Sequence, residues 1–182
     1  MEDVRASVDE RLAEKDVLAR AARGDRAAFA VLVTDHYDFL YRTAYKWCGN
    51  REDAEDVAQD VCIKLATALS GFDGRSAFTS WLYRIVINAV RDRQRQGTRR
   101  SRQVAALELV SAEAAAPEQE SAMAERQVWD AVRRLPDKQR DAVLLVYGED
   151  MSHAEAATIM GAKESTVSWY VHEAKKTLKG LV

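Results

Sequence analysis

Proline is almost absent from this chain, standing only at 117 and 136, and the alternating β-branched runs bounded by hairpin dipeptides that mark strands are missing too. No apolar run approaches the roughly 18 residues that span a bilayer. The first residues, with Glu2, Asp3, Arg5, Asp9, Glu10 and Arg11, lack the apolar segment of a secretory signal, so a cytoplasmic protein without membrane insertion is expected. Cysteine occurs twice, at Cys48 and Cys62, a spacing that fits neither a zinc knuckle nor a CxxC redox pair. His36, His153 and His172 stand singly, so no metal site and no cofactor are expected. A Gly-rich phosphate loop and a nucleophile motif are lacking as well. Asp35 and Asp38 beside His36 imitate a catalytic cluster only on a helix surface, and the chain is not expected to be an enzyme.

Charge is what the chain has in an organised form. The formal net charge is only −2, with hydrophobic residues at 47% and charged residues at 31%, the balance of a globular protein. Its distribution is uneven. Six arginines and one aspartate between Arg91 and Arg102 give a local +5, whereas Val104 to Glu125 holds five glutamates and no base. A local basic stripe, not the whole-chain sum, is the footprint of a phosphate backbone, so an acidic total does not exclude nucleic acid.

Helical periodicity divides the chain into two groups. Asp16–Arg23, Ala27–Cys48, Asp53–Leu69 and Phe78–Arg95 form the first; Glu125–Leu135, Lys138–Tyr147, His153–Met160 and Thr166–Leu178 form the second. Glycines, the residues that best end helices, punctuate them. Between the groups the sequence turns Arg-rich, then Ala- and Glu-rich around Pro117, which suits an exposed, flexible connector. The expected architecture is all-α: a domain over 1–97, a linker over 98–121 and a second domain over 122–182.

Three elements carry chemistry. In Asp53–Leu69 a stripe of Ala54, Val57, Ala58, Val61, Leu65 and Ala68 predicts burial, and the other side presents Asp53, Asp56, Gln59 and Asp60. Such a face is either a solvated surface compatible with the helix dipole or a docking site for a basic partner. In Phe78–Arg95, Leu82, Ile85, Val86 and Ala89 mark the buried side, while Arg84, Asn88, Arg91 and Arg95 recur at i, i+4, i+7 and i+11 as one polar stripe. Arginines that neutralise phosphates, an amide that reads a base edge and nearby rings such as Trp81 and Tyr83 suit DNA. Phe78 and Trp81 are equally candidates for core. Near the C-terminus, Ser152-His153-Ala154-Glu155 opens as a capping box, Gly161 breaks the helix, and Ser165-Thr166-Val167 opens the last one, a helix-turn-helix pattern.

The words in which these residues are written resemble those of the extracytoplasmic-function sigma factors, a class of the sigma-70 family of bacterial RNA polymerase. Gly24-Asp25-Arg26-Ala27-Ala28-Phe29-Ala30-Val31-Leu32 and Ala54-Glu55-Asp56-Val57-Ala58-Gln59-Asp60-Val61 are similar to the GDxxAFxxL and AEDxxQ(E/D) signatures. Phe78 to Asn88 is similar to FxxWLYRIxxN, and Leu135-Pro136-Asp137-Lys138-Gln139-Arg140 with Ser152 to Ala157 and Thr166-Val167 resembles the −35-reading domain. The likeness covers about Asp16 to Gly97 and Met123 to Leu181. It implies a region 2 domain that docks on the clamp helices of the polymerase's largest subunit through Asp53, Asp56, Gln59 and Asp60. It further implies −10 recognition by Phe72, Asp73, Arg75, Ser76, Trp81, Arg84, Asn88, Arg91 and Arg95, the loop Gly71 to Ser76 capturing a flipped base.

In the region 4 domain the resemblance assigns promoter −35 contacts to Ser165, Thr166, Ser168, Trp169, Tyr170, His172, Lys175 and Lys176, with Trp169 equally a candidate for core. It implies a non-catalytic initiation subunit whose partners are core RNA polymerase, promoter DNA and a separate anti-sigma factor, since neither an inhibitory N-terminal extension nor the middle domain of larger sigma factors is read in the sequence. Two departures qualify the likeness. Trp81 is followed by Leu82 where primary sigma factors carry a second aromatic wedge, which implies weak intrinsic melting. Ser168, Tyr170 and Glu173 stand where bases are common, so −35 binding is expected to be weaker or directed to an unusual sequence. A sigma-like mimic that titrates an anti-sigma factor, and a dimeric helix-turn-helix repressor, are the alternatives. The Arg84/Asn88/Arg91 stripe speaks against the first and the lack of a C-terminal dimerisation helix against the second.

Overall fold

A computed structural model describes residues 14–104 and 120–180, with side chains over 14–96 and 127–180. Among these residues there is helix and no strand. Helix α1 covers 14–22, α2 Arg26–Cys48, α3 Arg51–Ala68, α4 Phe78–Val104, α5 Glu120–Arg133, α6 Asp137–Val143, α7 His153–Met160 and α8 Glu164–Lys179. A 3₁₀ turn over Leu69–Gly71 follows α3, and a π turn over Leu144–Gly148 follows α6.

Local chemistry sets the helix ends. Asp25 caps α2 by accepting from the amides of Ala27 and Ala28 at 2.9 and 3.1 Å, while Arg20 grips its other oxygen at 2.7 Å. These bonds hold the Asp25 carboxyl below its ordinary range, the Ala28 amide contributing most. Asn50 caps α3 through the Asp53 amide. Ser152 and Glu155 complete a reciprocal capping box on α7, the Glu155 carboxylate accepting from the Ser152 amide at 2.9 Å and hydroxyl at 2.7 Å. Gly161, left-handed at φ 60°, ends α7 and turns the chain into α8.

Helix α4 does not stop near Gly97 as the periodicity predicts but continues to Val104, and α5 begins at Glu120. One interior glycine costs a helix only about 1 kcal/mol relative to alanine, and the Arg- and Gln-rich flanks are good helix formers. The expected linker over 98–121 is therefore helical at both ends; its middle, 105–119, lies outside the described residues.

Helices α2, α3 and α4 pack around Leu32, Leu40, Ala44, Trp47, Val57, Val61, Leu65, Leu82, Val86 and Val90. Ile85, expected on the buried side of α4, is only partly buried; Ile87 and Val90 lie deeper. Helices α5 to α8 enclose Val132, Leu135, Leu144, Leu145, Ala156, Ile159, Val167, Val171 and Ala174. The two groups are not separate beads. Helix α4 packs on α7, and α2 on the π turn, so the buried residues form one continuous cluster.

Candidate functional site

Three surfaces correspond to the three chemical elements of the sequence. On α3, Val57, Ala58, Val61 and Leu65 are buried, and Gln59 and Asp60 are exposed on the other side. Asp53 and Asp56 are half-buried because Arg93 of α4 forks across them, its Nε donating to Asp53 at 2.6 Å and its Nη2 to Asp56 at 2.5 Å. Partial burial raises the Asp53 carboxyl, but hydrogen bonds from Asn50 and Arg93 outweigh it and hold the group below its ordinary value. Among these polar groups stands Ile63, one turn beyond Gln59 and 72% exposed. Sequence reasoning overlooked it, although its register, i+4 from Gln59 and i+3 from Asp60, puts it on the polar side of α3. It overlooked Arg93 too, though carboxylates at i and i+3 on one helix call for a counter-ion.

On α4 the structure keeps Arg84, Asn88 and Arg95 exposed in one row, with Arg84 donating weakly to Ser76 at 3.3 Å. At 3.6 residues per turn, Arg93 lies roughly 170° round the helix from this row, so α4 offers opposite faces to the acidic helix and to solvent. Arg91 is the exception within the row. Its side chain is 16% exposed and paired with Asp141 of α6.

The loop before α4 turns at Gly74, whose φ of 70° is the left-handed conformation that glycine adopts without strain. Asp73 accepts from the Arg75 amide at 3.1 Å, and its carboxylate also pairs with the Arg75 guanidinium. Phe72 and Trp81 are half-buried in an aromatic cluster with Phe78: ring centroids are 5.4 Å apart for Phe72 and Phe78, 5.3 Å for Phe72 and Trp81, and 5.6 Å for the stacked Phe78 and Trp81. Phe78 is core, with His36 edge-on at 5.1 Å, and Trp81 lies on the boundary between core and loop.

On α8, Val167, Val171 and Ala174 are buried. Ser165, Trp169, His172 and Lys176, again at i, i+4, i+7 and i+11, are exposed on the opposite side. Trp169 is 56% exposed and therefore not core; its ring leans on Tyr170 with centroids 5.2 Å apart. Thr166 and Tyr170 are half-buried at the flank of this row. Ser168 is also half-buried. Its hydroxyl donates to the Glu164 carbonyl at 3.1 Å and meets His153 Nδ1 at 2.8 Å, tying α8 to α7. Lys175 sits 5.0 Å from the Tyr147 ring centroid, a cation–π contact.

Cys48 and Cys62 are free thiols. Burial, with the Asp53 charge adding to it, pushes the Cys48 thiol up to about 11, so it is not a thiolate near neutrality. Among the described residues no group of three or more His, Cys, Asp or Glu side chains is placed to hold a metal ion, and no helix is long and apolar enough to cross a membrane.

Comparison with known proteins follows the same division. Residues 32–100 match the family model for Sigma-70 region 2, and residues 125–178 that for Sigma-70, region 4. The chain is similar to RNA polymerase sigma factor NccH of Alcaligenes xylosoxydans xylosoxydans, with 34% identity over 182 residues that cover 97% of this chain and 95% of the relative. It is also similar to ECF RNA polymerase sigma factor SigW of Bacillus subtilis (strain 168), at 29% over 176 residues covering 91% and 94%. Among solved structures, CnrH in complex with the cytosolic domain of CnrY superposes with a TM-score of 0.64 at 27% identity, over 93% of this chain and 96% of that one.

Proposed function

Given that the chain belongs to the sigma-70 family, in its extracytoplasmic-function class, we propose that its three polar faces divide the work of transcription initiation. The α3 face of Asp53, Asp56, Gln59 and Asp60 docks on the clamp helices of core RNA polymerase. Helix α4 with the loop before it binds the −10 element, and the outer row of α8 reads the −35 element. The chain contributes no bond-making chemistry: it is a binding subunit, and the polymerase is the catalyst. The RNA polymerase sigma factor CnrH forms a complex with the cytosolic domain of CnrY; by analogy this chain is held in check by a separate anti-sigma protein.

The observation that carries the reading is the composition of the α3 face. Exposed Ile63 stands one turn beyond Gln59 and Asp60 on the same side of α3 as Asp56, so an apolar residue able to exclude water lies beside polar groups able to fix orientation, which supports a docking surface. The carboxylates accept charge-assisted bonds from arginines of a partner helix.

The reading is tested by co-purification with core polymerase. Asp60 and Ile63 are both exposed, so Asp60→Ala with Ile63→Ser leaves the helical circular dichroism and melting temperature near those of the wild type. Polymerase binding is expected to fall at least tenfold, and transcription from a promoter library in vitro to fall with it. Undiminished binding by the double variant refutes this docking face.

A further inference from the structure

The aspartates of the α3 face, which the sequence presents as equals, are bonded differently. Asp53 has both oxygens engaged within the protein. Its Oδ2 accepts from the Asn50 side-chain amide at 2.8 Å, and its Oδ1 accepts from Arg93 Nε at 2.6 Å. Asn50 is itself fixed, because its carbonyl oxygen caps α3 by accepting from the Asp53 amide at 2.8 Å. Asp56 is held at one oxygen only. Arg93 Nη2 donates to its Oδ2 at 2.5 Å, and its Oδ1 has no partner among the described residues. Asp60 is exposed, and neither of its oxygens has a partner among those residues.

The side chains of Asp53 and Asp56 are 43% and 47% exposed, so bonding and position, not accessibility, set them apart. At 3.6 residues per turn Asp56 lies roughly 20° round α3 from exposed Ile63 and Asp60 roughly 60°, whereas Asp53 lies roughly 80° away. Two carboxylates at i and i+3 repel one another, and a guanidinium laid across both offsets the repulsion. The planar fork also fixes them in place. With Oδ2 pinned, Asp56 has little side-chain freedom left to lose when a partner's donor meets Oδ1, which is the advantage of a surface organised before it binds. Lysine is no substitute, because an ammonium is a point charge on a flexible stem and lacks the rigid geometry that spans two acceptors.

On the reading of α3 as the docking helix, we propose that Arg93 of α4 is a positioning residue for polymerase binding. Braced by Asp53 and Asn50, it fixes the Asp56 carboxylate so that Oδ1, together with Gln59 and Asp60, accepts from the polymerase. Asp53 itself makes no contact with the partner.

The test is the affinity of the full chain for core RNA polymerase, measured by competition against fluorescently labelled wild-type chain, with the melting temperature and helical circular dichroism of each variant taken alongside. Arg93→Gln and Asp53→Asn are each expected to weaken binding about fivefold, and the double variant to bind no worse than either, because both substitutions undo one fork. Asp56→Asn is expected to weaken binding about tenfold or more, since it removes the accepting charge itself. Arg93→Lys separates positioning from stability: it keeps a cation beside the two carboxylates and most of the melting temperature, yet binds polymerase as weakly as Arg93→Gln. Losses that add in the double variant overturn the proposal by making Asp53 a contact. Wild-type affinity in Arg93→Gln also overturns it, as does a lysine variant that recovers affinity together with melting temperature. Asp60→Ala with Ile63→Ser is the control for the underlying reading. Full binding by that variant and by Asp56→Asn refutes the docking face, whereas weakened binding there with Arg93→Gln unaffected refutes the positioning role alone.

Discussion

At the level of single residues, the structure reassigns charges that the sequence presents as equivalent. Arg91 and Arg93 are two positions apart on one arginine-rich helix, yet about 200° of helix rotation sends one to Asp141 and the other to Asp53 and Asp56. The Arg93 fork has a measurable consequence. Because the folded state holds the Asp53 carboxyl below its unfolded value, the pair stabilises the fold fully above the unfolded carboxylate range and loses that contribution as pH falls through the lower folded value. Asp53 and Arg93 are both partly exposed, so solvent screening limits the pair to about 1 kcal/mol or less. Arg93→Ala is expected to lower the melting temperature by a few degrees at pH 7, and melting curves down the pH scale should show this difference shrinking below about pH 4.

Among the elements, the junction between α2 and α3 is the most constrained. Gly49 ends α2 at φ 80° with its amide donating to the Tyr45 carbonyl at 2.8 Å, and Asn50 at once caps α3. A Cβ at Gly49 would lie 2.3 Å from Nε of Arg133, which reaches over from α5. Gly49→Ala therefore meets a left-handed backbone that disfavours Cβ and a displaced arginine. A loss of roughly 1–2 kcal/mol is expected, read as a lower denaturant midpoint at unchanged slope. Helices α4 and α8 show the opposite situation, in which one spacing serves two sites. Both place polar residues at i, i+4, i+7 and i+11 opposite their buried stripe, and both rows belong to helices whose other side is fixed by the core.

For the molecule as a whole, the bond from Trp47 of α2 to Asp141 of α6, with Arg91 of α4 on the same carboxylate, makes two family modules into one unit. Trp47 and Asp141 are both fully buried by the contact, so unfolding either group exposes part of the other. Thermal unfolding of the wild type is expected as a single calorimetric transition. In Asp141→Asn it should broaden or split in two, since breaking one side of a buried pair costs on the order of 3–5 kcal/mol and falls mainly on the inter-group contact. A single sharp transition in the variant would mean that apolar contact alone joins the groups.

Much of this was legible in order along the chain. The apolar spacing of α3, α4 and α8, the Ser152 capping box and the glycine stops are local, and local chemistry repeats wherever 3.6 residues make a turn. The same spacing identified the polar faces, and the particular residues written on and around them carried the family resemblance. What the chain could not disclose were relations between residues far apart in sequence. Helix α4 runs past Gly97 because its flanks outweigh one glycine, a balance of small propensities. Trp81 lies between core and loop because Phe72 and Phe78 close over it. Ile63 lies off the buried stripe of α3, and only the packed structure shows that no neighbouring helix covers it. Asp141 reads as a surface charge until Trp47 and Arg91, 94 and 50 residues away, enclose it. Periodicity determines which side of a helix is polar; only packing decides which polar groups meet water and which meet each other, because desolvation and pairing depend on every neighbour at once.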